Sequence, residues 1–182
     1  MAAKVEIRPL SKQREGDFMD LHSAPPGECF CMFWYQSDGS DWSKVTPAQN
    51  REGRERLMGG GTADGFLAYV DGKVAAWCQV TPRDSLPHLR RRMVLGADPG
   101  VWAISCFYVL PDHRRQGVAT HLLRHALAEL KAKGAKRVEA FPRRGPDLSP
   151  DDLWNGPEPM LSRAGFKVVR EDKQRPVMAL DL

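Results

Sequence analysis

Val109-Leu110-Pro111-Asp112-His113-Arg114-Arg115-Gln116-Gly117-Val118-Ala119-Thr120 joins two segments of opposite character. Before it, residues 101–109 are almost continuously apolar and include Trp102, Ile104, Phe107 and Tyr108. A strand buried on both faces reads this way. After it, Leu122, Leu123, Ala126, Leu127 and Leu130 fall on one stripe at helical spacing, and Gly134 supplies a stop. The reading is strand, turn, helix, with the helix beginning near Arg115. The first amides of such a helix have no internal partners, and its dipole is positive there. No acidic residue follows in the first turn, so phosphate oxygens are natural acceptors. Gly117 permits a close backbone approach, Ala119 faces the apolar stripe with a small side chain, and Arg114 and Arg115 add charge.

Outward from this turn the chain alternates element types. Residues 5–10 alternate apolar and polar as a half-buried strand does, and a short helix is predicted over 14–22. The run Cys29-Phe30-Cys31-Met32-Phe33-Trp34-Tyr35 is aromatic and β-prone, and predicts a strand on which Cys29 and Cys31 share a face. Thr46, Pro47 and Gln49 spell a capped helix start, and Gly59-Gly60-Gly61 a stop. Two strands, 66–70 and 74–80, meet at Asp71-Gly72, a dipeptide suited to a type I′ turn. Residues 81–100 form a connection with one helical turn. Beyond the central helix, 137–141, 166–169 and 177–180 read as strands, with a short helix over 157–164 that ends at Gly165. The order predicts one α/β domain spanning residues 1–182, with mixed strand directions and no linker that would separate two domains.

Composition narrows the function. At 182 residues, 42% hydrophobic and 27% charged, the chain can build a core. The net charge of +4 is spread over Arg90-Arg91-Arg92, Arg114-Arg115 and Arg143-Arg144, which suits a small polyanion better than a nucleic-acid groove. The early residues carry no apolar leader, and no apolar run is long enough to span a bilayer, so no membrane partner and a cytoplasmic address are expected. Cys29, Cys31, Cys78 and Cys106 lack zinc-like spacing and read as buried reduced thiols. His121 and His125 have the i,i+4 spacing of a metal pair but lie opposite the leucines, where solvent exposure explains them. No metal site is expected. Gly59 to Gly65 follows a helix and lacks the Lys-Ser/Thr of a P-loop.

Arg114-x-x-Gly117-x-Ala119 resembles the Q/R-x-x-G-x-G/A signature of the GNAT superfamily of acyl-CoA-dependent N-acetyltransferases. The preceding strand, the following helix and Leu161-Ser162-Arg163-Ala164-Gly165-Phe166 are similar to that family's core in order and spacing. The likeness runs from about Trp102 to Val169, reaches the 66–80 hairpin and is loose before residue 60. It implies a mixed, mostly antiparallel central sheet flanked by helices, with two central strands splayed around an acyl-CoA. By the same resemblance, the backbone from Phe107 to Val109 pairs with the pantetheine arm. The amides of Arg114, Arg115, Gln116, Gly117, Val118, Ala119 and Thr120 hold the pyrophosphate, and Asn155, one residue off the usual position, contacts the arm. Acetyl-CoA is then the acyl donor and a primary amine, of a small molecule rather than a protein, the acceptor. A homodimer is compatible with the resemblance, although no residue specifies one.

The acid and base are harder to find. The resemblance implies an oxyanion donor in the strand amides near Phe107 or Tyr108. Where relatives often carry a tyrosine acid this chain has Leu161, and where some carry a glutamate base it has Ala103. Glu139, on the adjacent strand, is the best alternative base, set against its pairing with an arginine. Tyr108 leads the proton donors, with Tyr35 and Cys106 behind it. The stretch from Phe30 to Tyr35 together with Trp42 either lines an acceptor pocket or fills the core. The missing acid and base leave a rival reading, a non-catalytic acyl-CoA sensor or scaffold.

Overall fold

The computed structural model describes residues 4–23, 25–37 and 40–182. Among the described residues seven strands form one sheet in the order β1-β2-β3-β4-β5-β7-β6. They are β1 Val5–Pro9, β2 Gly65–Val70, β3 Lys73–Pro82, β4 Val101–Val109, β5 Arg137–Ala140, β6 Lys167–Arg170 and β7 Val177–Asp181. Every pairing is antiparallel except β4 with β5. Among the described residues five α-helices flank the sheet: α1 Glu15–Leu21, α2 Pro47–Gly59, α3 Pro87–Arg92, α4 Val118–Ala132 and α5 Glu158–Arg163. Among the described residues no helix is long and apolar enough to cross a membrane.

Local chemistry explains most boundaries. Thr46 caps α2 in a reciprocal capping box with Gln49, and Pro47 stands at the helix start. Asp71 and Gly72 both take positive φ, 48° and 81°, as a type I′ hairpin turn between β2 and β3 requires. Helix α4 buries Val118, Leu122, Leu123, Ala126 and Leu130 against β2, β3 and β4. Each fully buried leucine contributes about 1.5–3 kcal/mol by leaving water. The opposite sheet face packs Leu67, Trp77 and Cys106 on Phe18, Met19 and Phe30.

The aromatic run at 29–35 is not a strand. Gly27–Cys29 and Phe33–Tyr35 form separate 3-10 turns, and Phe30 and Cys31 between them are left-handed at φ 45° and 56°. The side chains are drawn apart: Phe30 and Cys31 enter the core around Phe18 and Trp77, while Trp34 enters another with Leu86 and Phe141. Anchoring in two cores overrides β propensity. Cys29 and Cys31 therefore share no strand face.

One irregularity shapes the centre of the sheet. Gln79 faces Cys106, but Val80 faces Ile104, so Ser105 is an extra residue in β4. Such a bulge bends its strand and sharpens the twist. At the bulge the β4–β5 ladder stops, with Ile104 opposite Ala140, and β4 runs on to Val109 paired with β3 but not with β5.

Candidate active site

The gap opened beside β4 leads into a cavity of about 770 Å³. Phe107, Tyr108 and Val109 line it from β4, and Gly117, Val118, Ala119 and Thr120 from the start of α4. Gly117 is the N-cap of α4, with φ 81°, and no side chain caps the helix. The first helical amide with an intrahelical partner is that of His121, bonded to the Gly117 carbonyl at 3.0 Å. The amides before it are free to meet an anion. A Cβ on Gly117 would meet nothing nearer than the His121 ring at 3.9 Å, so glycine is required by the backbone angle and the approach stays open. Helix α4 begins at Val118, three residues later than the sequence predicts, because Pro111–His113 is a separate 3-10 turn and Arg115 is left-handed at φ 60°.

The two arginines divide their work. Arg114 donates through Nε to the Val109 carbonyl at 3.0 Å and through its terminal nitrogen to Asp151 at 2.8 Å. It braces the turn from behind. Arg115 is exposed on the cavity rim, while Gln116 donates to the Asp112 carbonyl at 2.7 Å and is turned into the loop. Gln116 is not among the lining residues, although its neighbours are. Arg163, from α5, also reaches the cavity, as does His113. Sequence reading quoted Arg163 within a motif without giving it a role.

On the side of β4 facing the gap, the backbone groups are only partly engaged. Alternation along an antiparallel strand, fixed by the Leu110 amide on the Ala75 carbonyl at 2.9 Å, turns the N–H and C=O of Phe107 and Val109 toward the gap. The bulged Ser105 carbonyl accepts from Trp34 Nε1 at 3.2 Å and Asn155 Nδ2 at 2.7 Å. The Phe107 amide donates to the Trp154 carbonyl at 2.5 Å. That leaves the Phe107 carbonyl and the Val109 amide, an acceptor and a donor, beside the gap. The expected oxyanion donor is thus corrected: Phe107 N–H is engaged by Trp154, and Tyr108 N–H faces β3, opposite Trp77.

Other expected roles are also revised. Asn155 is fully buried and does not line the cavity; its oxygen accepts from Arg175 and its nitrogen donates to the Ser105 carbonyl, so it braces the bulge. Glu139 lies outside the cavity, with its carboxylate on Arg83 Nη1 at 2.8 Å and Arg137 Nε at 3.7 Å. A buried guanidinium holds the carboxylate as its counter-ion, which removes it as a base. Tyr35 donates to Asp64 at 2.6 Å within the buried Arg54–Asp64–Gln79 network, and burial, then the Asp64 charge, pushes its phenol up. It is no proton donor to the cavity. Leu161 and Ala103 are packed in the core.

Tyr108 does line the cavity, and burial above all holds its phenol protonated, above the ordinary value. Cys29, Cys31 and Cys106 line it as well. Cys29 is pushed up to about 12, mainly by burial, and Cys106 is raised by its hydrogen bond with Cys31 and then by burial. Cys29 and Cys106 are thiols, not nucleophilic thiolates. The aromatic run divides: Phe33, Trp34 and Trp42 line the cavity, while Phe30 is core. Trp154, Pro150, Asp151 and Gln79 complete walls that sequence reading missed, because only the bulge and the 149–157 loop bring them to β4. His121 is exposed as expected, but His125 is half-buried edge-on against Phe66, 5.1 Å between centroids. Among the described residues no group of three or more His, Cys, Asp or Glu side chains could hold a metal ion.

Comparisons bear on this geometry. The sequence model of the acetyltransferase (GNAT) family matches residues 17–145, which include the turn and β4. The PaiA N-acetyltransferase of Thermoplasma acidophilum, solved in complex with coenzyme A, is similar in structure at a TM-score of 0.57 and 16% identity, covering 98% of this chain and 99% of that one. YncA of Salmonella typhimurium, solved with its cofactor acetyl-CoA, gives 0.60 and 15%, covering 98% and 94%. The ribosomal-protein-S18-alanine N-acetyltransferase of Escherichia coli gives 0.55 and 15%, also covering 98% and 94%. At such identities the structural likeness shows a common fold. No curated protein sequence matches the chain significantly.

Proposed function

Because the chain belongs to the acetyltransferase (GNAT) family, we propose that it moves an acetyl group from acetyl-CoA to a primary amine of a small molecule. The observation that carries this reading is the cavity that joins the free amides of α4 to the gap-facing edge of β4. Its ends suit the two ends of one ligand. At the α4 end the Gly117 to Thr120 amides, the helix dipole and the Arg115 charge favour a pyrophosphate. Along β4 the Phe107 carbonyl and Val109 amide offer a strand-like pair to an amide-bearing arm. The bound thioester supplies an activated acetyl carbon.

Few protein groups then remain near the reaction. Tyr108, held protonated, can donate to the departing sulfur. With Glu139 paired to Arg83, among the described residues no carboxylate lines the cavity besides Asp151, which is occupied by Arg114. The attacking nitrogen must lose its proton to water or arrive uncharged. The rival, an acyl-CoA sensor that has lost turnover, draws on this same lack of a base. Tyr108 at the cavity wall favours the enzyme.

Calorimetric titration with acetyl-CoA, with NAD and ATP as controls, tests the reading. Micromolar binding of acetyl-CoA alone is expected, followed by thiol release with an amine. No acetyl-CoA binding would reduce the turn to structure, and binding without turnover of any amine would favour the sensor.

A further inference from the structure

The cavity is also walled by four aromatic side chains, Phe33, Trp34, Trp42 and Trp154. Phe33 stands edge-on to all three tryptophans, with centroids 4.6 Å from Trp34 at 68°, 5.2 Å from Trp42 at 87° and 5.5 Å from Trp154 at 83°. Perpendicular rings of this kind form rigid, flat-sided walls. The Cys29 and Cys106 thiols and the Gln79 amide line the same cavity. That amide is already committed, accepting from Ser105 Oγ at 2.7 Å and donating to Asp64 at 3.0 Å.

Charge is distributed unevenly. Among the described lining residues the cations are Arg114, Arg115 and Arg163, and the one carboxylate, Asp151, is already bonded to Arg114 at 2.8 Å. An alkylammonium entering there would lose its water without gaining a counter-ion. Aromatic walls can hold a cation through their faces. Here, however, Arg175 lies 5.9 Å from both the Trp34 and Trp154 ring centroids, so a cation already uses those rings and repels a second. A further constraint comes from the missing base, since a charged amine cannot attack until it is deprotonated.

We propose that the acceptor is an aromatic amine, its nitrogen bonded directly to a flat ring that packs inside the cavity against Phe33, Trp42 and Trp154. This rests on the acetyl-transfer reading above. Such a nitrogen shares its lone pair with the ring and is uncharged at neutral pH, so it needs neither a counter-ion nor a base. Its lone pair forms the N–C bond to the acetyl carbon and the C–S bond breaks. The proton shed by nitrogen reaches water, Tyr108 gives its proton to the departing sulfur, and water returns one to Tyr108. The products are an N-aryl acetamide and free coenzyme A.

The experiment is steady-state thiol release from acetyl-CoA with 2-aminonaphthalene, tryptamine and spermidine as acceptors, from pH 6 to 9. Before it, acetyl-CoA binding is measured by calorimetry. The aromatic amine should be preferred at least about tenfold in kcat/KM at pH 7, with a nearly flat pH profile. An alkylamine, with a pKa near that of lysine, should gain roughly tenfold for each pH unit as its neutral fraction grows. Trp42→Ala should raise KM for the aromatic amine about tenfold with kcat within about twofold, and Trp42→Phe should recover most of the loss. Preference for tryptamine or spermidine, or silence with 2-aminonaphthalene while acetyl-CoA still binds, would overturn the acceptor assignment and leave the cofactor reading standing. Failure of acetyl-CoA to bind would remove both.

Discussion

Glu139 shows how one residue can carry the signature of a base and serve another purpose. Its position next to the central strand was legible in the sequence; its partner, Arg83, lies 56 residues away and could not be paired by inspection. Both side chains are more than nine-tenths buried, so each depends on the other for its charge to be tolerated. Arg83→Met should destabilise the fold by about 3–5 kcal/mol, because it strands a buried carboxylate. Glu139→Gln should leave kcat within about threefold of wild type under conditions where the protein is folded. A loss of kcat of a hundredfold or more, in the range of a lost general base, would restore Glu139 to the reaction. Gly117 is the contrasting case: the sequence places it in the turn, and its φ of 81° at the α4 N-cap is the physical reason for glycine there. Gly117→Asp retains a residue type that tolerates positive φ but sets a carboxylate where phosphate oxygens are expected. Acetyl-CoA binding should fall below detection by calorimetry while the circular dichroism spectrum and melting temperature hold. Unchanged affinity would mean that the α4 terminus is not the anion site.

Among the elements, β4 does most to create the site, and it does so by being irregular. The bulge at Ser105 ends pairing with β5 and leaves the 149–157 loop to close part of the exposed edge. This arrangement separates the fates of two amides on one strand. Phe107 N–H, bonded to Trp154, should exchange slowly with solvent deuterium whether or not acetyl-CoA is present. Val109 N–H should exchange quickly in the free protein and slow at least about tenfold when acetyl-CoA binds. Equal protection of both amides in the free protein would show that the edge is already closed beyond Trp154. Elements with strong local codes, such as the Thr46 capping box, the Asp71-Gly72 turn and the leucine stripe of α4, were readable without a structure. The 29–35 run was not, because its fate depends on two separate cores that neighbouring sequence does not reveal. The bulge was equally hidden: Ser105 within an apolar strand carries no local signal for an extra residue.

In the whole molecule, the sheet that makes the site also encloses groups that cannot ionise without cost. His22, just past α1, is fully buried against Phe18, Trp77 and Tyr108, at ring centroids of 4.1, 6.5 and 5.2 Å. Its Nδ1–H donates to the Phe18 carbonyl at 3.0 Å, while Nε2 has no partner among the described residues. Burial above all lowers its pKa to about 3, with the nearby Arg54 charge acting in the same direction. The unfolded chain, with a histidine near pH 6.5, therefore binds a proton that the native state refuses. Above pH 6.5 this has no effect; between 6.5 and about 3, stability should fall as pH falls, by about 1.4 kcal/mol per unit. Asp64 adds to acid lability only at lower pH. Burial alone would raise it, but Arg54, Tyr35 and Gln79 outweigh that and hold it below 3.8, so its contribution is lost below that value. Between 6.5 and 4.5 His88, whose pKa burial also lowers, acts in the same direction, and His22, fully buried, makes the larger contribution. Urea midpoints at pH 7 and pH 5 should differ by about 2 kcal/mol in the wild type. In His22→Leu, which keeps an apolar side chain among the aromatic rings, that difference should largely vanish, whatever the variant's absolute stability. If the variant keeps the full acid sensitivity, the proton is taken up elsewhere and the His22 ring is more accessible to water than its burial implies.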